Sequence, residues 1–153
     1  LFILYALYID LGVDFMITYG NRISVKEYNH LRKAVGWNVL EKTQAETGLK
    51  NSSYITVAYS DGKVVGTTRV VCDGGYIAII VDVMVLPEFQ GQGIGRELMN
   101  NVINYLKGTI NDKQCLMINL MAAPNKEGFY KKFGFVERPN DSMGAGMVRW
   151  LNK

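Results

Sequence analysis

The apolar positions of this chain change their spacing several times, and each change marks an element. Tyr54-Ile55-Thr56-Val57-Ala58-Tyr59 alternates with period two, as a half-buried strand does. Asp61-Gly62 follows as a type I′ hairpin signal, and Lys63 to Val71 returns as the partner strand. Asp73-Gly74-Gly75 turns the chain again into the long run from Tyr76 to Leu86. The third strand of this meander is nearly all apolar, which predicts a central strand covered on both faces. Asp82 interrupts it, and a carboxylate there calls for an explanation. After Gly93 the period becomes helical, with Ile94, Leu98, Met99, Val102, Ile103 and Leu106 on one broad face and Gly108 as the stop. Cys115 to Met121 is the next strand, and the intervening helix lets it lie parallel to the run ending at Leu86.

The flanks complete the pattern. Met16 to Tyr19 is a short strand, and Ser24-Val25-Lys26-Glu27 is a capping box that opens a helix through Tyr28, Leu31 and Val35, with Gly36 as its end. A weaker helix is expected from Leu40 to Thr47, ending at Gly48. Beyond Ala122-Ala123-Pro124, a short helix carries Phe129, Tyr130 and Phe133 and stops at Gly134. Phe135 to Glu137 and Met147 to Leu151 read as the last strands. The order is β-α-α-β-β-β-α-β-α-β-β, an α/β (α+β) fold with a mixed sheet and helices on both faces, in one domain over residues 16–153. Residues 1–15 stand apart. Their run from Leu1 to Ile9 is too short to span a bilayer and lacks the basic residues that open a secretory signal. It reads as a docked arm, an oligomer contact, or an extension upstream of a start at Met16, the last being preferred.

Composition narrows the class of function. The 153 residues are 48% apolar and 20% charged, which describes one globular domain with a full core. The formal charge of +3 is mild and no Lys/Arg run occurs, so neither a nucleic acid nor a membrane is expected as partner. Cys72 and Cys115 both lie in apolar runs and are expected as buried thiols, with a cytoplasmic setting as the default. His30 is the single histidine, so no multi-histidine metal site exists and no metal is expected.

The chemistry concentrates between Val83 and Met99. Gly91, Gly93 and Gly95 let successive backbone N–H groups converge, and the helix start adds its own unpaired N–H groups. Such a turn suits a phosphate. A dinucleotide fingerprint fails, because its third small residue would fall on Arg96, and no Gly-Lys-Ser/Thr follows as a P-loop needs. The pattern that fits is Q-x-x-G-x-G, with Gln90, Gly93 and Gly95 after an apolar strand ending in Leu86-Pro87. It resembles the acetyl-CoA pyrophosphate loop of the GNAT superfamily of N-acetyltransferases. Downstream, Tyr130-Lys131-Lys132-Phe133-Gly134-Phe135 resembles that superfamily's Y-x-x-x-G-F segment.

The resemblance implies an acetyl-CoA-dependent N-acetyltransferase that moves an acetyl group to a primary amine by direct attack in a ternary complex. It implies that Gln90, Gly91, Gln92, Gly93, Ile94, Gly95 and Arg96 hold the donor's pyrophosphate. Met84 and Val85 would meet pantetheine and the thioester oxygen along a strand that splays from its parallel neighbour. Tyr130 would protonate the leaving thiolate. Many members carry Asn seven residues before this tyrosine, where this chain has Ala123, with Asn125 two residues on as a substitute. Asp82 is a candidate base, since burial raises a carboxylate's pKa; the alternative is a structural Asp bound to backbone donors or to Arg69. A water relay serves as base in many members. Trp37, in the segment that commonly borders the acceptor pocket, is a candidate wall, and Tyr19, Phe89 and Trp150 are further aromatic candidates. A small-molecule amine is the expected partner, and a homodimer stays open. The rival readings are a non-catalytic acyl-CoA-binding sensor or interaction module, and a protein or peptide N-acetyltransferase.

Overall fold

The structure, a computed structural model, describes residues 16–151. The expected extension over residues 1–15 lies outside the described residues. The chain forms two compact units, one up to Asn119 and one from Leu120.

The first unit is a five-stranded sheet in the order β1-β2-β3-β4-β5. Its strands are β1 (Ile17–Gly20), β2 (Tyr54–Ser60), β3 (Lys63–Cys72), β4 (Ile77–Val85) and β5 (Met117–Asn119). The first four pair antiparallel. The β2–β3 turn places Asp61 and Gly62 at φ 48° and 77°, the two left-handed residues that a type I′ hairpin requires. At the next turn the Asp73 carboxylate accepts from the backbone N–H groups of Gly75, Tyr76 and Ile77, which fixes the register of β4. β5 lies parallel to β4, as expected for strands joined by a helix.

Three helices flank this sheet: α1 (Val25–Ala34), α2 (Lys42–Lys50) and α3 (Ile94–Lys107). Adjacent strand residues face opposite sides, so two contacts assign the layers. Thr56 receives a hydrogen bond from Asn101 of α3. Arg69, which pairs with Ile55 next door, reaches the Gly48 carbonyl of α2. The core joins both sides, with Tyr28, Leu31, Val57, Met84 and Leu98 at or near zero exposure. Gly66 allows the closest approach. A Cβ there would lie 2.9 Å from the Met84 carbonyl oxygen and 3.3 Å from Leu98 Cδ1, so β3 is glycine where β4 and α3 press on it.

Several expectations need correction. α2 starts at Lys42 rather than Leu40, because the Glu41 carboxylate caps it by accepting from Gln44 N–H at 3.0 Å. It runs through Gly48 to Lys50, since the Gly48 carbonyl is held by Arg69 Nη1 and Ser52 Oγ, both at 2.8 Å. β4 is not covered along its whole length: Ile79 is 37% exposed. β5 is only Met117–Asn119, so Cys115 precedes it and is exposed, while Cys72 is half-buried.

The second unit carries one short helix, α4 (Glu127–Lys131), closed by Gly134 at φ 84°. Phe129, Tyr130, Phe133 and Phe135 pack edge to face within it. The two strands expected at Phe135 to Glu137 and Met147 to Leu151 do not form ladders. A strand exists only by pairing, and here Val136, Met147, Val148, Trp150 and Leu151 are all more than 60% exposed. The loop between them closes on itself instead, through Asn140 Oδ1 accepting from Ser142 and Met143 N–H and Arg138 Nε donating to the Gly144 carbonyl.

Candidate active site

β4 delivers the chain to the glycine turn. Its last residue pairs with Gly66, Leu86 N–H donates to the Val65 carbonyl at 2.8 Å, and a 3-10 turn follows over Pro87–Phe89. The Gln90 amide donates back to the Val85 carbonyl at 2.9 Å, and the Gln92 amide to the Glu88 carbonyl at 3.1 Å. These two side chains brace the turn from within. Gly91 and Gly93 stand at φ 78° and 85°, in the left-handed region where a Cβ is disfavoured, and open space surrounds both. Gly93 is the N-cap of α3. The N–H groups of Ile94, Gly95 and Arg96 therefore open the first turn of the 14-residue helix, at the positive end of its dipole. The Ile94 side chain is buried and anchors the turn, whereas Arg96 is exposed. The assembled feature is a glycine turn that leads into the N–H end of a long helix, a combination suited to a diphosphate.

The edge of β4 is the second feature. Its pairing with β5 covers Ile77, Ala78 and Ile79, opposite Met117, Ile118 and Asn119. β4 continues to Val85, whereas the β5 strand ends at Asn119. The last shared pair is Ile79 and Asn119, and the backbone around Met84 and Val85 lies beyond it along β4.

Asp82 sits in the middle of that stretch, at φ 55°. Arg69 pairs with Val81 and Thr67 with Met84, so Asp82 and Val83 together oppose Thr68 in a β-bulge. The carboxylate turns to α1 and β3. Arg69 Nε donates to Oδ2 at 2.6 Å, the Tyr28 hydroxyl donates to the same oxygen at 2.7 Å, and Arg32 Nη1 donates to Oδ1 at 3.3 Å. All three charged side chains are nearly buried, with 10–15% of their surface exposed. Burial, followed by the neighbouring Asp82 charge, pushes the Tyr28 hydroxyl above its ordinary range, so Tyr28 stays a donor. Tyr28 and Arg32 were not singled out as site residues from the sequence. Their signal is the i, i+4 spacing on the buried face of a helix, which puts a phenol and a guanidinium side by side.

The aromatic candidates belong to different elements. Trp37 follows α1 and stacks on the Arg32 guanidinium, 5.5 Å from ring centroid to Cζ. Tyr19 lies on β1; burial and then the Glu97 charge on α3 raise its hydroxyl. Phe89 packs against the core cluster. Trp150, in the second unit, is 82% exposed. In the second unit Tyr130 is buried and its hydroxyl is raised by that burial, while Asn125 adopts φ 64° in the link before α4. Among the described residues no group of His, Cys, Asp or Glu could hold a metal ion.

Residues 51–137 match the family model described as an acetyltransferase (GNAT) domain. The chain belongs to the GNAT family. It is an N-acetyltransferase by that membership, and the family's co-substrate is acetyl-CoA. Among its relatives, an uncharacterized N-acetyltransferase ycf52 from Pyropia yezoensis is 32% identical over 135 residues, covering 86% of this chain and 75% of the relative. The chloroplastic serotonin N-acetyltransferase 2 of Oryza sativa is 29% identical over 131 residues, covering 83% of this chain and 64% of the relative. A crystal structure of a probable acetyltransferase from Staphylococcus aureus has a TM-score of 0.78 at 27% identity, over 88% of this chain and all of that one. The mixed sheet with its flanking helices is thus a GNAT fold, as the two motifs implied.

Proposed function

We propose that this GNAT acetyltransferase moves an acetyl group from acetyl-CoA to the primary amine of a small molecule, by direct attack in a ternary complex. The observation that carries the reading is the continuity of β4 with the glycine turn. β4 continues past its last pair with β5 and leads, through the Pro87–Phe89 turn, into the two left-handed glycines that open α3. A strand edge offers N–H and C=O groups to the amides of pantetheine, and the turn offers N–H groups to the diphosphate, in the order that acetyl-CoA presents them. The roles of Met84 and Val85 toward the thioester and of Gln90 to Arg96 toward the diphosphate follow from that alignment. Gln90 and Gln92 serve it by bracing the turn, and Arg96 adds an exposed charge beside it.

Tyr130 receives the role of general acid from the Y-x-x-x-G-F segment, and its burial keeps it a neutral phenol near pH 7. Asn125 is the residue available for the pantetheine arm in place of Ala123. For Asp82, three donors already occupy its two oxygens. That supports the structural role over the role of base, and leaves proton removal to a water relay. The rice relative's name supports an arylalkylamine as the class of acceptor, with Trp37 as an aromatic wall.

The test is thiol release from acetyl-CoA against a panel containing serotonin, other arylalkylamines, amino acids, aminoglycosides and peptides. Release with an arylalkylamine well above buffer is the expected result. Release with peptides alone would favour a protein or peptide acetyltransferase, and acetyl-CoA binding without release on any amine would favour the sensor.

A further inference from the structure

We infer that Arg32 is a positioning residue that ties the acceptor-side segment carrying Trp37 to the bulge of the donor strand, through the shared carboxylate of Asp82. The inference rests on the proposed reading of β4 as the strand that seats the donor.

The bulge needs holding. A non-glycine residue at positive φ costs about 1–2 kcal/mol and persists only where its surroundings over-determine it. Asp82 is over-determined by three donors from two elements. Arg69 fixes the sheet side, since its Nη1 also donates to Gly48 and Ser52 at the end of α2. Arg32 fixes the other side. Its guanidinium lies over both the Tyr28 and the Trp37 rings, 5.7 and 5.5 Å from their centroids. Nε donates to the Asn38 carbonyl at 2.8 Å while Nη1 reaches Asp82. The Arg32 carbonyl, in turn, accepts from Trp37 N–H at 2.8 Å. Asn29 completes the hold on this segment by exchanging two hydrogen bonds with the Leu40 backbone, at 2.9 and 3.0 Å.

One planar cation therefore touches the loop and the bulge at once. A guanidinium can do this because it presents donors in two directions from a flat face that stacks on aromatic rings; an ammonium presents a point charge. A displacement of the bulge when a donor seats on β4 has a short route to Trp37. It passes from Met84 and Asp82 to Arg32, and then to the ring and the Asn38 carbonyl. Arg69 also lies 5.6 Å from the Tyr28 ring centroid on α1, but its remaining hydrogen bonds go to Gly48 and Ser52, so it makes no hydrogen bond to the loop that carries Trp37 and Asn38.

The experiment follows the Trp37 indole N–H by 15N NMR as coenzyme A is added to the full chain, with Trp37→Phe assigning the signal. In the parent protein coenzyme A binds and the Trp37 indole resonance moves. In Arg32→Met, coenzyme A affinity by calorimetry stays within about two-fold, and most of the Trp37 response is lost, as expected where a coupled contact between two sites is removed. Arg32→Lys keeps the positive charge, and with it most of the fold's stability, but loses the Nε bond and the flat stack. It is expected to lose the response as well. A merely structural arginine would lower thermal stability and leave the Trp37 response intact in the folded fraction. A full response in both variants overturns the inference, as does a parent protein that binds coenzyme A with no movement at Trp37. Absence of coenzyme A binding in the parent would instead remove the donor-site reading on which the inference stands.

Discussion

At the scale of single residues, Asp82 and Tyr130 are shielded from water for different reasons, and substitution separates their roles. Asp82 is the counter-charge for two arginines. Asp82→Asn leaves both guanidiniums nearly buried with no carboxylate, and the expected loss is on the order of 3 kcal/mol in urea unfolding. If Asp82 were the base, the variant would keep its stability and lose the acidic limb of the kcat/KM profile instead. Tyr130→Phe removes one hydroxyl and keeps the ring that packs on Phe129 and Phe135. A tyrosine near ~10 and a thiol near ~8.5 are close enough for proton transfer as the C–S bond breaks. The variant is expected to lose roughly 10²-fold in kcat with acetyl-CoA affinity nearly unchanged, and the defect should shrink with a more acidic leaving group. Since burial moves the Tyr130 hydroxyl upward, its deprotonation should not limit the rate below about pH 10, and a basic limb near pH 8 would have to come from another group.

At the scale of elements, the cap of α1 gives a test with a pH sign. Ser24 N–H donates to Glu27 Oε2 at 2.8 Å and Glu27 N–H to Ser24 Oγ at 3.2 Å, the reciprocal pair read from the Ser-x-x-Glu pattern. The hydroxyl and N–H of Ser24 hold the Glu27 carboxyl below its ordinary range. A lowered folded value means that this contribution is complete above the unfolded value of ~4.3 and fades as pH falls through the folded one. Ser24→Ala should cost about 1 kcal/mol at pH 7 and less in acid, followed by urea unfolding at each pH. An equal cost at both would show that the carboxylate takes no part. The same kind of local signal made most elements legible: the Asp61-Gly62 hairpin, the amphipathic face of α3 and the glycine turn all depend on neighbours in sequence. What was not legible depends on distant partners. Gly48 looked like a stop, but Arg69 and Ser52 hold its carbonyl and α2 runs on. Asp82 could be flagged as an odd carboxylate in an apolar run, yet its bulge and its partners Tyr28 and Arg32 lie about fifty positions away in the chain. The last two strand patterns were apolar enough to read as strands, and no ladder forms on them.

At the scale of the whole molecule, donor binding should appear as stability, because a donor held by the folded glycine turn and strand edge has no such site on the unfolded chain. At a donor concentration of 100 times Kd the gain is about 2.7 kcal/mol. For a chain of this size that corresponds to a rise in unfolding midpoint of about 5–10 °C. Gly93→Asp separates the two tasks of the glycine. Without donor, the variant should unfold at a lower temperature, since an aspartate at the φ of 85° seen for Gly93 costs about 1–2 kcal/mol. The fold survives that cost because no atom lies within 4 Å of where the Cβ would go. With donor, the added carboxylate faces a diphosphate across the N–H groups that should hold it, and like charges there oppose binding. Affinity should fall at least ten-fold, equivalent to ~1.4 kcal/mol, and most of the donor-induced rise should vanish. Thermal unfolding of parent and variant with and without acetyl-CoA, beside calorimetry, reads both effects in one series. A variant that starts lower but rises by the full parental increment would leave Gly93 a purely conformational residue, and the diphosphate would have to be held elsewhere.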